Sequence, residues 1–136
     1  MKGFSLKLNS LKYGWADLSL VMGETVKSLY FEYVPRDTLF DLLESAIRIA
    51  ENVDSLITFY NCSQRDYLSI SKTQNGFCRI EIDNSTFEVP IKEYCKAVLR
   101  IFDAYIYEFS IDDFNDNWID FPTEYLERLR VQYYAL

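Results

Sequence analysis

A chain of 136 residues has the length of one ordinary domain, and at that size roughly two thirds of the unfolded surface is buried on folding, enough for a core of its own. Hydrophobic residues make up 49% and aromatic residues 17%, with only four Gly and three Pro, which excludes a disordered or loop-dominated chain. The formal charge of -7 argues against direct nucleic-acid binding, because phosphates would be repelled.

In chain order, Phe4, Leu6 and Leu8 alternate with polar residues, as do Leu11, Tyr13 and Trp15, before the apolar phase switches to Leu18, Leu20 and Met22. Side chains alternate faces along a strand, so this switch predicts a bulge or bend between Gly14 and Asp17. Gly23-Glu24-Thr25 reads as a turn, and SLYFEYVP as the next strand. From Pro35 the period changes. Leu39, Leu42, Leu43, Ala46, Ile47 and Ala50 recur at helical spacing, with Pro35 and Asp37 or Thr38 as start signals and an end near Asn52.

Strand patterns return between Leu56 and Ile91 as LITFYNC, YLSISKT, FCRIEID and TFEVPI, with turns at Ser63 to Asp66, Gln74 to Gly76 and Asp83 to Ser85. A second long helix is predicted from Ile91 to Phe109, where Ile91, Tyr94, Cys95, Val98, Phe102, Tyr105 and Phe109 share one stripe. A shorter helix starts at Pro122 or Thr123, with Thr123 as its cap and Leu126 and Leu129 as its apolar line. The expectation is one α+β domain over residues 1–136: an antiparallel β-sheet meander with helices packed on one face, in the order βββ-α-ββββ-α-α.

Cys62, Cys78 and Cys95 are odd in number, widely spaced and free of any CxxC pair, which predicts a reducing compartment and thiols used as small core residues. No apolar run approaches the ~20 residues of a membrane span, and MKGFSLKLNS alternates where a signal core would be continuous. A cytoplasmic protein without a membrane partner is expected. Histidine is absent, which excludes an imidazole base and a His-ligated metal, and the isolated glycines form no phosphate loop or nucleophile elbow.

The acidity is concentrated. Between Ile101 and Glu127 lie Asp103, Glu108, Asp112, Asp113, Asp116, Asp120, Glu124 and Glu127 without a single Lys or Arg, leaving 13 acidic against 14 basic residues elsewhere. Three chemistries are conceivable for FSIDDFNDNWIDFPTEYLERL. A calcium loop would place Asp113, Asn115, Asn117 and Glu124 at its ligand positions, but Trp118 stands where the sharp turn requires Gly. A pair of catalytic carboxylates would need a substrate cleft and one raised pKa, the basis of a rival reading as a metal-assisted hydrolase using the Asp112 to Glu124 carboxylates. As a surface, Asp112, Asp113, Asp116, Asp120 and Glu124 around Phe114, Trp118 and Phe121 would either point to water, with the aromatics anchoring the last helix in the core, or steer a basic protein partner, with the aromatics ordering the segment. A second protein-docking candidate is a tyrosine-rich sheet face comprising Tyr13, Trp15, Tyr30, Tyr33, Tyr60 and Tyr67, against the simpler expectation that tyrosines suit half-buried strands.

Taken together, YGWADLSL, DTLFDLLESAIRIA, RDYLSISKTQNGFCRIEI and VPIKEYCKAVLRIFDAYIYEF, followed by Trp118 and FPTEYLERL, make a pattern that resembles small bacterial immunity proteins of polymorphic-toxin and contact-dependent growth inhibition systems. The resemblance spans most of the chain, and the Trp118, Phe121-Pro122, Leu126, Leu129 tail is its most distinctive part. It implies a protein that is not an enzyme, needs no cofactor, and blocks the active site or substrate access of a cognate toxin C-terminal domain. It carries over no site residue. The acidity adds separately that the toxin is basic, as nucleases that hold phosphate are.

Overall fold

The computed structural model describes residues 3–62 and 64–136. A tight turn opens the first sheet: Tyr13 and Gly14, with φ of 52° and 82°, connect β1 (Phe4–Lys12) to β2 (Trp15–Met22). Gly23 and Glu24 then turn the chain into β3 (Thr25–Glu32), giving the antiparallel order β1-β2-β3. The expected phase switch exists, but it lies earlier than Gly14 to Asp17. Leu8 pairs with Leu18 and Ser10 with Asp17, so Asn9 is the extra residue that turns Leu11 inward. Tyr13 and Trp15, which continue the alternation of Leu11 in the sequence, both point outward: Tyr13 is 83% exposed in the turn, and Trp15 stacks on Tyr30 at 4.8 Å.

The helix α1 (Thr38–Ala50) starts where Asp37 caps it, the carboxylate accepting from the Phe40 amide at 3.1 Å. Its buried stripe is the expected one, with Leu39, Leu42, Leu43, Ala46 and Ile47 inside, and Asn52 follows the helix with a φ of 64°. The second sheet has the order β4 (Ser55–Asn61), β5 (Gln64–Lys72), β6 (Phe77–Ile82), β7 (Ser85–Pro90), all antiparallel. Of the turn expected at Ser63 to Asp66, Ser63 lies outside the described residues. Gln64, Arg65 and Asp66 already pair with Asn61, Tyr60 and Phe59 in β5. Their polarity has another cause at Asp66, which meets Lys27 of β3 at 3.4 Å.

The seven strands therefore form two sheets, with β3 crossing the second one. Phe31 meets the Phe59 ring of β4 at 5.0 Å, Lys27 reaches Asp66 of β5 and Asp83 of the β6–β7 turn (2.7 Å), and Gly23 lies against Phe87 of β7. Helix α1 packs on β4 and β5, and α2 (Ile91–Glu108) on β1 and β7, so both sheets turn their apolar face toward the helices. The stripe of α2 ends at Tyr105. Phe109, 47% exposed, has left the helix and keeps only a ring contact with Tyr105 at 4.7 Å.

The acidic segment, expected as a hinge, contains a short helix of its own, α3 (Ile111–Asn117). Ser110 caps it by accepting the Asp113 amide at 2.9 Å, and Phe114 is its buried anchor. The last helix is α4 (Thr123–Ala135), docked through Leu126 and Leu129 as expected. Thr123, however, is its first helical residue and makes no cap, because Pro122 occupies the cap position. Cys78 and Cys95 are core thiols whose pKa burial pushes up to about 12. Cys62 is not: it follows the end of β4 and is exposed. Among the described residues, no helix is long and apolar enough to cross a membrane.

Candidate functional site

The α3 to α4 junction is seated by its aromatic residues. Trp118 is only 5% exposed, and its indole N–H donates to Asp37 Oδ1 at 2.8 Å, the same oxygen that caps α1. Its ring stands edge-on to Phe31 (6.0 Å) and Tyr33 (5.7 Å), and the neighbouring Asn117 carbonyl accepts the Gly14 amide at 2.8 Å. Trp118 thus ties the junction to α1 and β3, and Asn117 ties it to the β1–β2 turn. Phe121 adds edge contacts to Phe102 (6.1 Å) and Phe114 (5.2 Å). Desolvation raises the Asp37 pKa, against the opposing pull of the hydrogen bonds from Trp118 and Phe40.

The five carboxylates divide. Asp113 is half-buried and turned inward, accepting from the Tyr105 hydroxyl, with Asn117 Nδ2 at 3.4 Å. Desolvation, followed by this carboxylate, raises the Tyr105 pKa. Asp112, Asp116, Asp120 and Glu124 are all exposed, and among the described residues none has an ion-pair partner. Asp112 and Asp116 lie one turn apart on α3, and the Phe121 amide donates to Asn115 Oδ1 at 2.8 Å, folding the Asp120 loop back onto that helix. Of the two arginines that follow in α4, Arg130 is already clamped by Asp103 through two 2.7 Å contacts and by Glu127 at 3.4 Å.

Helix electrostatics explains only part of this set. Asp112 and Glu124 sit in the first turns of α3 and α4, where the positive end of the macrodipole favours them by about 0.3–1 kcal/mol each. Asp116 is in the last turn of α3, where the dipole opposes a negative charge, and Asp120 lies in the loop between α3 and α4, outside the end turns of both. Asp116 is thus disfavoured by its own helix, and among the described residues neither it nor Asp120 is paired with a cation. Among the described residues, no three acidic or cysteine side chains come together as a metal-binding group.

The tyrosine-rich face is more open than half-buried strands would make it. Tyr30 and Tyr67 are 55% and 52% exposed, Leu56, Val26 and Val34 are exposed beside them in sequence or across strands, and Arg65 lies over the Tyr60 ring at 5.3 Å. Asn61 Nδ2 donates to the Tyr30 carbonyl at 2.9 Å, joining the two sheets at a cleft of about 450 Å³ lined by Glu32, Val34, Tyr60, Cys62 and Tyr67. The aliphatic members were not singled out from sequence, although each occupies the outward phase of its strand or the segment following it. Compared with protein-family models, curated proteins and solved structures, the chain matches none.

Proposed function

We propose that this chain is an immunity protein that neutralises a cognate bacterial toxin domain in the cytoplasm by stoichiometric binding, without catalysis. The observation that carries the reading is the set Asp112, Asp116, Asp120 and Glu124: exposed carboxylates without an ion-pair partner among the described residues, Asp116 at a helix end where the dipole disfavours it, on a junction that Trp118 anchors. A fixed acidic surface of this kind suits a basic partner, because preplaced charge accelerates encounter and excludes partners of like sign. A nuclease-type toxin is the favoured partner, since its phosphate-binding groove must be basic. Asp113 is removed from the contact set and acts within the fold.

The test is co-expression with the toxic C-terminal domain encoded beside this chain, which is expected to restore growth and to yield a co-purifying one-to-one complex. Continued growth arrest despite folded, abundant protein would sink the reading for that pair. A second reading, a regulatory module that docks a partner on the outer sheet face, is favoured by the exposure of Tyr30, Tyr67 and Leu56. Tyr30→Ala and Tyr67→Ala variants that lose the complex while the acidic variants keep it would select this second reading.

A further inference from the structure

The first sheet has a free edge on the side of α2. Among the described residues β1 pairs with β2 alone, and the Gly23 amide donates to the Gly3 carbonyl at 3.0 Å. This bond sets the alternation of the ladder: Ser5 and Lys7 exchange hydrogen bonds with β2, whereas Phe4 and Leu6 direct their N–H and C=O groups away from it. Those groups border a groove of about 630 Å³ between β1 and α2, floored by Phe4, Leu6, Ala97 and Tyr133. Near Lys7 and Ala104 the groove runs on into a second hollow of about 460 Å³ along Leu8 and Tyr107.

Its walls are charged in a graded way. Lys92, Lys96 and Arg100 follow one another along α2 at four-residue spacing beside the first hollow, with Lys7 opposite and Glu93 as the only acid lining it. Among the described residues none of these four cations has a carboxylate within ion-pair distance, although the chain carries seven excess negative charges. Lys92 lies instead over the Tyr133 ring at 5.3 Å. Toward Leu8 the lining changes sign, to Asp103 and Glu108.

We propose that this groove takes up an extended, acidic segment of a partner protein, which adds as a fourth strand to the free edge of β1. Unpaired strand amides supply the affinity and direction of such an addition, and the cations select acidic side chains at the Phe4 end. A second copy of this chain fits poorly. Its own acidic segment is wound into α3 and cannot offer an extended edge. An anionic amphiphile would use the lysines and the apolar floor but leave the Phe4 and Leu6 amides unbonded. The inference does not depend on the toxin reading, because the groove and the α3 to α4 junction share no lining residue.

The test uses the isotopically labelled full chain and the probe acetyl-Val-Glu-Val-Glu-Val-Glu-amide. Hydrogen exchange at Phe4 and Leu6 is expected to slow on adding the peptide. Replacing its Glu by Lys, methylating alternate backbone nitrogens, or introducing Lys92→Glu with Lys96→Glu should each weaken binding about tenfold or more. Unchanged exchange at Phe4 and Leu6 with peptide in excess would overturn the proposal, as would equal affinity for the Lys peptide. Binding of decanoate without binding of the peptide would replace it with an amphiphile site. Concentration-dependent self-association that protects the same amides would replace it with a contact between copies.

Discussion

Asp37 carries two jobs on one side chain, and they conflict with its charge. It caps α1 and accepts the Trp118 indole, yet it is buried enough for desolvation to raise its pKa above the usual 3.8. A carboxylate whose folded pKa is raised binds its proton more tightly in the folded state. Its contribution to stability is therefore full below the unfolded pKa of about 3.8 and is lost as pH rises through the folded value. Asp37→Asn keeps an acceptor for Phe40 and Trp118 but removes the titration. In urea melts at stepped pH, the wild type is expected to lose stability relative to this variant on going from acid toward neutrality; parallel profiles would show that Asp37 does not titrate differently on folding. Gly14 offers a second residue-level test. With φ at 82°, an added Cβ would lie 2.6 Å from the Tyr33 ring, whereas at Gly76, with φ at 81°, it would meet open space. Both Ala substitutions pay the left-handed backbone cost of about 1–2 kcal/mol, and Gly14→Ala should cost at least about 1 kcal/mol more through displacement of Tyr33. Equal losses in thermal or urea melts would mean that the ring moves aside freely.

Among the three longer helices, α4 buries the fewest side chains. Leu126 and Leu129 are its two buried side chains, while Val131, Tyr134 and Leu136 face outward. Leu129→Ala is therefore expected to destabilise the protein by about 3 kcal/mol, a typical loss for a fully buried leucine. The Arg130 to Asp103 clamp joins α4 to α2, but both side chains are at least a third exposed, so Arg130→Ala should cost only about 1 kcal/mol, less in high salt. Arg130→Lys recovers part of that, because one ammonium cannot reproduce the two parallel contacts. A loss from Arg130→Ala matching that from Leu129→Ala would assign the docking of α4 to charge. Helix α3 leaves little trace in the sequence: seven residues offer too little periodicity, and its signals, Ser110 as cap and Phe114 as anchor, sit inside an acidic run that resembles a loop.

For the whole molecule, the uneven charge is the property with consequences. Acidic residues crowd the α3 to α4 junction, and unpaired cations line the β1–α2 groove, so one modest net charge conceals two faces of opposite sign. If the junction receives a basic toxin, replacing Asp112, Asp116 and Asp120 by Lys should slow association about tenfold or more at low ionic strength, and the difference should shrink as salt is added. Asp113→Asn should leave that rate unchanged and lower stability instead, because its contacts are internal. Stopped-flow association at several salt concentrations separates the two, and an unchanged rate for the triple variant would move the interface elsewhere.

Element order apart from α3, the amphipathic stripes of α1 and α2, and the concentration of acid near the end were legible in the sequence, because each depends on local period or on counting. The division into two sheets, the bulge at Asn9 and the exposure of Cys62 were not, since each depends on which strands pair and cross. The same limit applied to the acidic segment. Its residues were visible, but only the tertiary structure decided that Asp113 turns inward to Tyr105 while Asp112, Asp116, Asp120 and Glu124 stay in water. The physical reason is that a charge is placed by partners brought from distant positions: Trp118 reaches Asp37, the Asn117 carbonyl holds Gly14, and these long-range bonds set which way the junction faces.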